Sequence, residues 1–207
     1  MALSPADSVY AKRMRSTMGD SDVKRHRLHA FFNPRSIALV GAAPDPSIIR
    51  GRIASAVING GFEGDIYPIS RSHEFVFGTR CYPSLADLPV TPELAIITVP
   101  AELVPRLLEE CAAKGTRAAL ILSSGFSEQG DEEGRAREDA IREIARRNDL
   151  IVSGPNAEGF FNAGLPLRAT FSPTVMDEDD GVSIPGTNGR VAIVSQSGGV
   201  GFAIYNR

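Results

Sequence analysis

The sequence predicts an α/β fold built on a doubly wound parallel sheet, and three observations carry that expectation. Short apolar runs recur at Ile37 to Gly41, Asp65 to Ile69, Leu94 to Val99, Ala118 to Leu122 and Leu150 to Val152. Between most of them lie longer stretches with apolar residues at helical spacing, so strand and helix alternate and right-handed crossovers follow. Each run also empties into a turn of glycine, serine, proline or asparagine, which is how a buried parallel strand hands the chain to the next element.

The first strand and turn, Pro34 to Arg52, set the pattern. After Gly41 the chain passes through Ala42-Ala43-Pro44-Asp45 to a helix expected to start near Ser47, with Ile53, Val57 and Ile58 on its inner stripe and Gly60-Gly61 at its end. A helix start carries unpaired N–H groups and about half a positive charge, so this turn suits a phosphate. Upstream, His26, His29, Phe31 and Phe32 read as a short turn that packs aromatics under the sheet.

Further along, Ser70-Arg71-Ser72-His73 follows the second strand, where Arg71 is placed to meet a ribose phosphate or pyrophosphate and His73 reads as a loop residue. Phe75 to Pro92 carries turn chemistry, with Ser84 as the cap of one helical turn. Leu103, Leu107, Leu108 and Cys111 are the expected inner face of a helix closed by Lys114-Gly115. The strand at Ala118 to Leu122 opens into Ser123-Ser124-Gly125. The helix from Asp131 to Arg147 has acids in its first turn, arginines in its last, and Ala136, Ala140, Ile141 and Ile144 along one face.

Leu150 to Val152 opens into Gly154-Pro155-Asn156. Phe160 to Pro185 then reads as an irregular edge segment and linker. Arg190 to Val194 reads as a fresh strand, entering Ser195 to Gly199 and a helix from Val200. The expected division is a flexible leader over 1–24, one domain over 25–172, a linker over 173–188, and over 189–207 the truncated start of a second α/β domain.

Composition narrows the function. At 207 residues, 43% hydrophobic and 23% charged, the chain buries a full core and is not disordered. A net charge of −3 attracts no nucleic acid, and the basic residues Lys12 to Arg27 are interleaved with Asp7, Asp20 and Asp22. There is neither a signal-peptide core of ~7–15 apolar residues nor a span of ~18, so a cytoplasmic location without membrane contact is expected. Cys81 and Cys111 stand apart from any CxxC pair and read as buried thiols. No catalytic residue and no metal-ligand set emerges.

The turns at Gly41, Ser70, Ser123 and Gly154 should share one edge of the sheet, offering amides, hydroxyls and one arginine for binding. Neither G-x-G-x-x-G nor GxxxxGK[ST] occurs, which disfavours a nicotinamide dinucleotide or a P-loop triphosphate. Ser195 to Gly199 lacks a histidine partner and reads as a second anion-binding helix start rather than a nucleophile elbow.

Seven motifs in order, FNPRSIALVGA, GGFEGDIYPI, YPSLADLP, LAIITVPAELVPRLLEECAAKG, ILSSGFSEQG, GPNAEGFFN and VAIVSQSGGVG, resemble the CoA-binding part of NDP-forming acyl-CoA synthetases, relatives of the succinyl-CoA synthetase α chain. The resemblance implies a Rossmann-like CoA-binding domain followed by a flavodoxin-like one. It implies a ligase that interconverts acyl-CoA, ADP and phosphate with acid, CoA and ATP through an acyl phosphate and a phosphohistidine. CoA and a carboxylic acid or acyl-CoA are the implied partners, together with further ligase domains or a subunit that would hold ADP or ATP and magnesium.

Carried over, Gly41, Ala42 and the Ser47 helix start hold CoA phosphates, Arg71 stands near the adenine end, and Val99 and Pro100 border the cofactor. Ser123, Ser124 and Gly125 line its path to the thiol, Asn156 lies near the acyl end, and Ser195 to Gly199 faces the phosphohistidine loop. The chain departs from the family at Ser70-Arg71-Ser72 and at Ala157-Glu158. Its three histidines all lie upstream of the expected phosphohistidine, so the segment alone lacks that relay. Two other readings stay open from sequence: a CoA-sensing regulatory domain of a protein acetyltransferase, and a generic NAD(P)-binding domain.

Overall fold

The computed structural model describes residues 26–175 and 191–205. The leader assigned to 1–24, most of the linker, and Arg190 lie outside the described residues. The chain enters through a single helical turn, α1 (His29–Phe32), then runs β1 (Ser36–Val40), α2 (Ile49–Asn59) and β2 (Asp65–Ile69). A small hairpin follows, β3 (Phe75–Val76) and β4 (Thr79–Arg80), and then β5 (Leu94–Ile97), α3 (Val104–Lys114), β6 (Ala118–Ile121) and α4 (Glu132–Arg147). The remainder is β7 (Ile151–Ser153), a second hairpin of β8 (Gly159–Asn162) and β9 (Leu167–Thr170), and α5 (Gly198–Tyr205).

Five strands form one sheet in the order β2-β1-β5-β6-β7, every neighbouring pair parallel. From β1 the chain goes to one side for β2, then crosses back over β1 to lay down β5, β6 and β7 on the other. That reversal opens a crevice at the carboxyl ends of β1 and β5, the usual ligand position of an open α/β sheet. The doubly wound parallel architecture expected from the sequence is the one observed.

Both faces of the sheet are covered, which is why its strands read as continuous apolar runs. Successive residues alternate between faces. Ile37 and Leu39 of β1 pack with Ile53 and Val57 of α2 and with Phe31, while Ala38 and Val40 face Val104, Leu108 and Cys111 of α3 and Ile141 and Ile144 of α4. Both ends of α4 follow the sequence signals. Asp131 caps α4 by accepting from Gly134 N at 2.6 Å, and Glu133–Arg137 and Glu138–Arg142 pairs at 2.7 and 3.0 Å run along its exposed side.

The structure departs from the sequence reading in six places. Leu103 is 45% exposed and Val104 takes the inner position, because a 3₁₀ turn over Ala101–Leu103 shifts the phase of the stripe before α3 begins. In α4 the buried residues are Gly134, Ile141 and Ile144, and Ala136, two residues beyond Gly134, falls on the solvent side. Ser84 donates to Asp87 Oδ2 at 2.6 Å but closes a turn without a helix.

Two hairpins form, one in the segment read as turn chemistry and one in the segment read as irregular. Phe77 and Gly78 have φ of 47° and 77°, a type I′ geometry that matches the twist of β3 and β4. In the second hairpin the side chain of Asn162 accepts from Gly164 N at 3.0 Å, and Leu167 and Ala169 turn inward at 0% exposure. Lastly, residues 191–194, read as the end of a strand, form none; Val191 and Val194 are 84% and 95% exposed. A buried parallel strand takes its stability from neighbours on both sides, and no strand among the described residues lies beside this one. The helix expected after it is present as α5.

Two expectations follow. Replacing Leu167 with alanine removes an apolar side chain from the core and should cost about 2–5 kcal/mol in chemical denaturation; a loss below ~0.5 kcal/mol would detach the β8–β9 hairpin from the folding unit. The Cys111 thiol is pushed up to about 12 from 9.0, first by burial and then by the neighbouring Glu110 carboxylate. The folded protein therefore keeps a proton that the unfolded chain releases, so this contribution to stability is complete below pH 9.0 and is lost as pH rises toward 12. Denaturation of Cys111→Ala across that range should show a shallower alkaline decline than the parent; equal slopes would assign the decline elsewhere.

Candidate functional site

The carboxyl ends of the five parallel strands set the site. Gly41 N donates to Ile69 O at 3.1 Å, drawing the turn after β1 toward the end of β2. On the other side, Thr98 N and Oγ1 both donate to Val40 O at 3.0 Å. Ser123 Oγ donates to Val99 O at 2.5 Å, and Asn156 N donates to Ser123 O at 2.9 Å. Gly41, Val99, Ser123 and Asn156, separated by up to more than a hundred positions in sequence, are thus joined hand to hand along one rim.

Gly41 has φ of +91°, and a Cβ there would come within 2.9 Å of Val99 Cγ1 and 3.0 Å of Thr98 Oγ1. Only glycine closes the crevice between β1 and β5 this tightly while taking a left-handed turn. Pro100, Ser124 and Asn156 are exposed on the shelf and Val99 is half-buried. Two hollows lie beside the sheet: one of ≈ 520 Å³ runs along α4 from Arg27 and Asp149 and meets the rim at Gly154 and Pro155, and the other of ≈ 330 Å³ follows α2 from Pro46 and Arg52 to Asn59 and Gly60. Gly41, Val99 and Ser123 line neither hollow, and the rim they form is an open ledge.

Three of the residues singled out in sequence stand differently from their expected roles. Ser47 does not cap α2: the cap is Ile48, with no side-chain bond, and Ser47 instead gives its N–H to Asp45 Oδ1 at 2.9 Å. The Ser47 hydroxyl and N–H together hold the Asp45 carboxyl below its ordinary value. Ala42 is 3% exposed, so its side chain belongs to the core and only its backbone remains for a ligand. Gly125 is buried and its N–H is taken by Glu128 Oε1 at 2.6 Å.

Sequence reasoning passed over Arg50 and Arg52. The first turn of α2 holds both and has no acidic residue, an arrangement the helix dipole disfavours by some tenths of a kcal/mol per charge. Arg50, Arg52 and the exposed Arg71 form no ion pair with any described residue, whereas the arginines of α4 at 137, 142, 146 and 147 are all paired. Positive charge left unpaired at a positive helix end is a local conflict that an anion relieves. The signal was legible: arginines, rather than acids, open this helix.

At the far end of the ledge, the turn leading to α5 reaches the site. Ser195 Oγ donates to Ser197 O at 2.7 Å and accepts from Ser197 N at 3.2 Å, winding the chain into the helix. Gly198 lies under the Glu158 side chain, where a Cβ would meet Oε2 at 2.0 Å. The Ser195–Gly199 turn and the Gly154–Gly159 turn are therefore neighbours.

The model of the CoA binding domain matches residues 35–162, a span that contains every turn of this rim except the one before α5. The chain belongs to the CoA binding domain family. Over 181 residues it is 39% identical to the α subunit of the ADP-forming acetate–CoA ligase I of Pyrococcus furiosus, covering 86% of this chain and 37% of that protein. The ADP-forming 4-hydroxybutyrate–CoA ligase of Nitrosopumilus maritimus is 36% identical, over 82% of this chain and 23% of the relative. Among solved structures, the acetyl-coenzyme A synthetase 1 of Candidatus Korarchaeum cryptofilum, in complex with phosphate and ADP, superposes with a TM-score of 0.73 at 34% identity, over 86% of this chain and 35% of that one. The chain thus spans little more than a third, or less, of the length of these relatives. As a CoA binding domain it has the Rossmann-like fold its motifs imply, and no helix among its described residues is long and apolar enough to cross a membrane.

Replacing Gly41 with alanine places a Cβ against Val99 in a strained conformation and should destabilise the CoA binding domain by about 1–3 kcal/mol. Urea denaturation checks it, and a change below ~0.5 kcal/mol would mean the crevice is looser than the geometry requires.

Proposed function

We propose that this chain binds CoA across the strand-end ledge, as the CoA-binding portion of an NDP-forming acid–CoA ligase. The observation that carries the reading is the conjunction of the ledge with the unpaired arginines at its α2 end. CoA is an elongated molecule with phosphates at one end, an uncharged pantetheine arm and a thiol at the other. Phosphates are assigned to the turn at Gly41 and Ala42, the first turn of α2, Arg50, Arg52 and Arg71. The arm passes Val99, Pro100, Ser123, Ser124 and Gly125, and the thiol comes to Asn156, beside the turn that opens α5.

In this reading the ledge binds and orients, and no described side chain in it forms or breaks a bond. The reaction assigned to the whole ligase is acyl-CoA plus ADP and phosphate giving acid, CoA and ATP, by way of an acyl phosphate and a phosphohistidine. ADP or ATP, magnesium and the histidine belong to other parts of that ligase, and 189–207 to the start of its second domain. The Asn156 end then lies where an acyl group on CoA meets the next domain, and Glu158 at the junction gives it a negative wall. The acetyltransferase-regulatory and NAD(P) readings have no supporting observation in the rim or in the relatives.

Calorimetric titration with CoA and with NADH tests the proposal: CoA binding without NADH binding supports it, and the reverse overturns it. Replacing Arg50, Arg52 or Arg71 with alanine should each weaken CoA binding by about tenfold, the size of one lost charge-assisted contact, with little change in melting temperature. A residue whose replacement leaves the affinity unchanged lies outside the site.

A further inference from the structure

The loop from β6 to α4 contains a carboxylate that the proposed CoA contacts do not use. Glu128 Oε1 accepts from Gly125 N at 2.6 Å and from Phe126 N at 3.2 Å, so one oxygen fills a nest made by two consecutive amides. Burial acts to raise this carboxyl, and the N–H groups of Gly125 and Phe126 outweigh it, leaving Glu128 below its ordinary value. Around it the loop is fastened at other points too. Arg137 Nη1 donates to Gly125 O at 3.2 Å while its Nη2 pairs with Glu133, and the Ser127 hydroxyl donates to Glu138. Phe126 is 0% exposed in the core under α3 and α4.

The consequence falls on Ser124. Ser123 is tied to Val99 O and Gly125 to Glu128, so Ser124, exposed between them, is held at both ends. Gly125 has φ of +109°, and a Cβ there would lie 2.9 Å from Ala101 Cβ, so the loop has no freedom to slide toward α3. Without an acceptor at position 128, two amides in a largely buried loop lose their partner, and the backbone turns to find others.

We infer that Glu128 is a positioning residue for CoA binding: its carboxylate oxygen, held by the Gly125 and Phe126 amides, fixes the Ser123–Gly125 turn in the shape that receives the pantetheine arm. This rests on the reading of the ledge as the CoA site, and it adds a residue that never touches the cofactor. The role requires an acceptor oxygen at this place, so glutamine serves and alanine does not.

Two measurements on the 207-residue chain keep the inference apart from the reading it rests on. The first needs no ligand: amide hydrogen exchange of Gly125 and Phe126 should speed up by about tenfold or more in Glu128→Ala, as expected for losing a hydrogen bond of ordinary strength, and should return close to the parent rate in Glu128→Gln. The second is CoA titration at a temperature where all three proteins are folded. Glu128→Ala should bind about tenfold more weakly, with Glu128→Gln near the parent. Unchanged exchange in the alanine variant, parental CoA affinity in it, or a glutamine variant as weak as alanine overturns the role of Glu128. Failure of the parent itself to bind CoA overturns the site, whatever the exchange shows.

Discussion

The pairing of β1 with β5 is the constraint on which the rest of this molecule depends. Ile37 to Val40 lie in register with Leu94 to Ile97, all eight residues are buried, and Thr98 extends the ladder with two bonds to Val40 O. Because the chain leaves β1 in one direction and comes back past it, this pair marks the place where the winding of the sheet reverses. The helices that follow β1 and β5 depart to opposite faces there. An opening at the strand ends is the geometric result, and Gly41 narrows it to the width of a backbone.

From that pair outward, the rim is assembled by backbone groups and short side chains. Val99 O holds Ser123, and Ser123 O holds Asn156, so the position of each turn depends on the one before it. Such a ledge is stiff where strands end and open where a ligand lies. Its charge is uneven: the α2 end carries arginines that no described carboxylate balances, while the Asn156 end meets Glu158.

The opposite edge of the sheet is organised by different means. Arg35 gives its backbone N–H to Glu93 Oε2 at 2.9 Å and its guanidinium to Glu93 Oε1 at 2.7 Å, tying the entries of β1 and β5 together. Lys114 Nζ donates to Leu88 O at 2.9 Å and Ala86 O at 3.2 Å, fastening the end of α3 to the loop before β5. Here side-chain cations satisfy carboxylates and carbonyls within the protein itself. Arg50 and Arg52 at the start of α2, and Arg71 after β2, have no such carboxylate partner among the described residues.

The sequence by itself determined the strand–helix alternation, the burial of both sheet faces, the C-terminal end of α3 and both ends of α4. Those depend on periodicity and on capping residues a few positions apart, which are local properties. It also marked the turns at Gly41, Ser123 and Asn156, since glycine, serine and asparagine at strand ends have few other uses. Only the tertiary structure decided which hydrogen-bonding groups remain available. Ser47 is spent on Asp45 and Gly125 on Glu128, while Arg50 and Arg52 are left without carboxylates, and the competition among those partners is settled by folding. The hairpins at β3–β4 and β8–β9 were likewise decided in three dimensions. Their strands are too short to announce themselves, and they gain stability by packing Val76, Leu167 and Ala169 against a core that exists only once the sheet has formed.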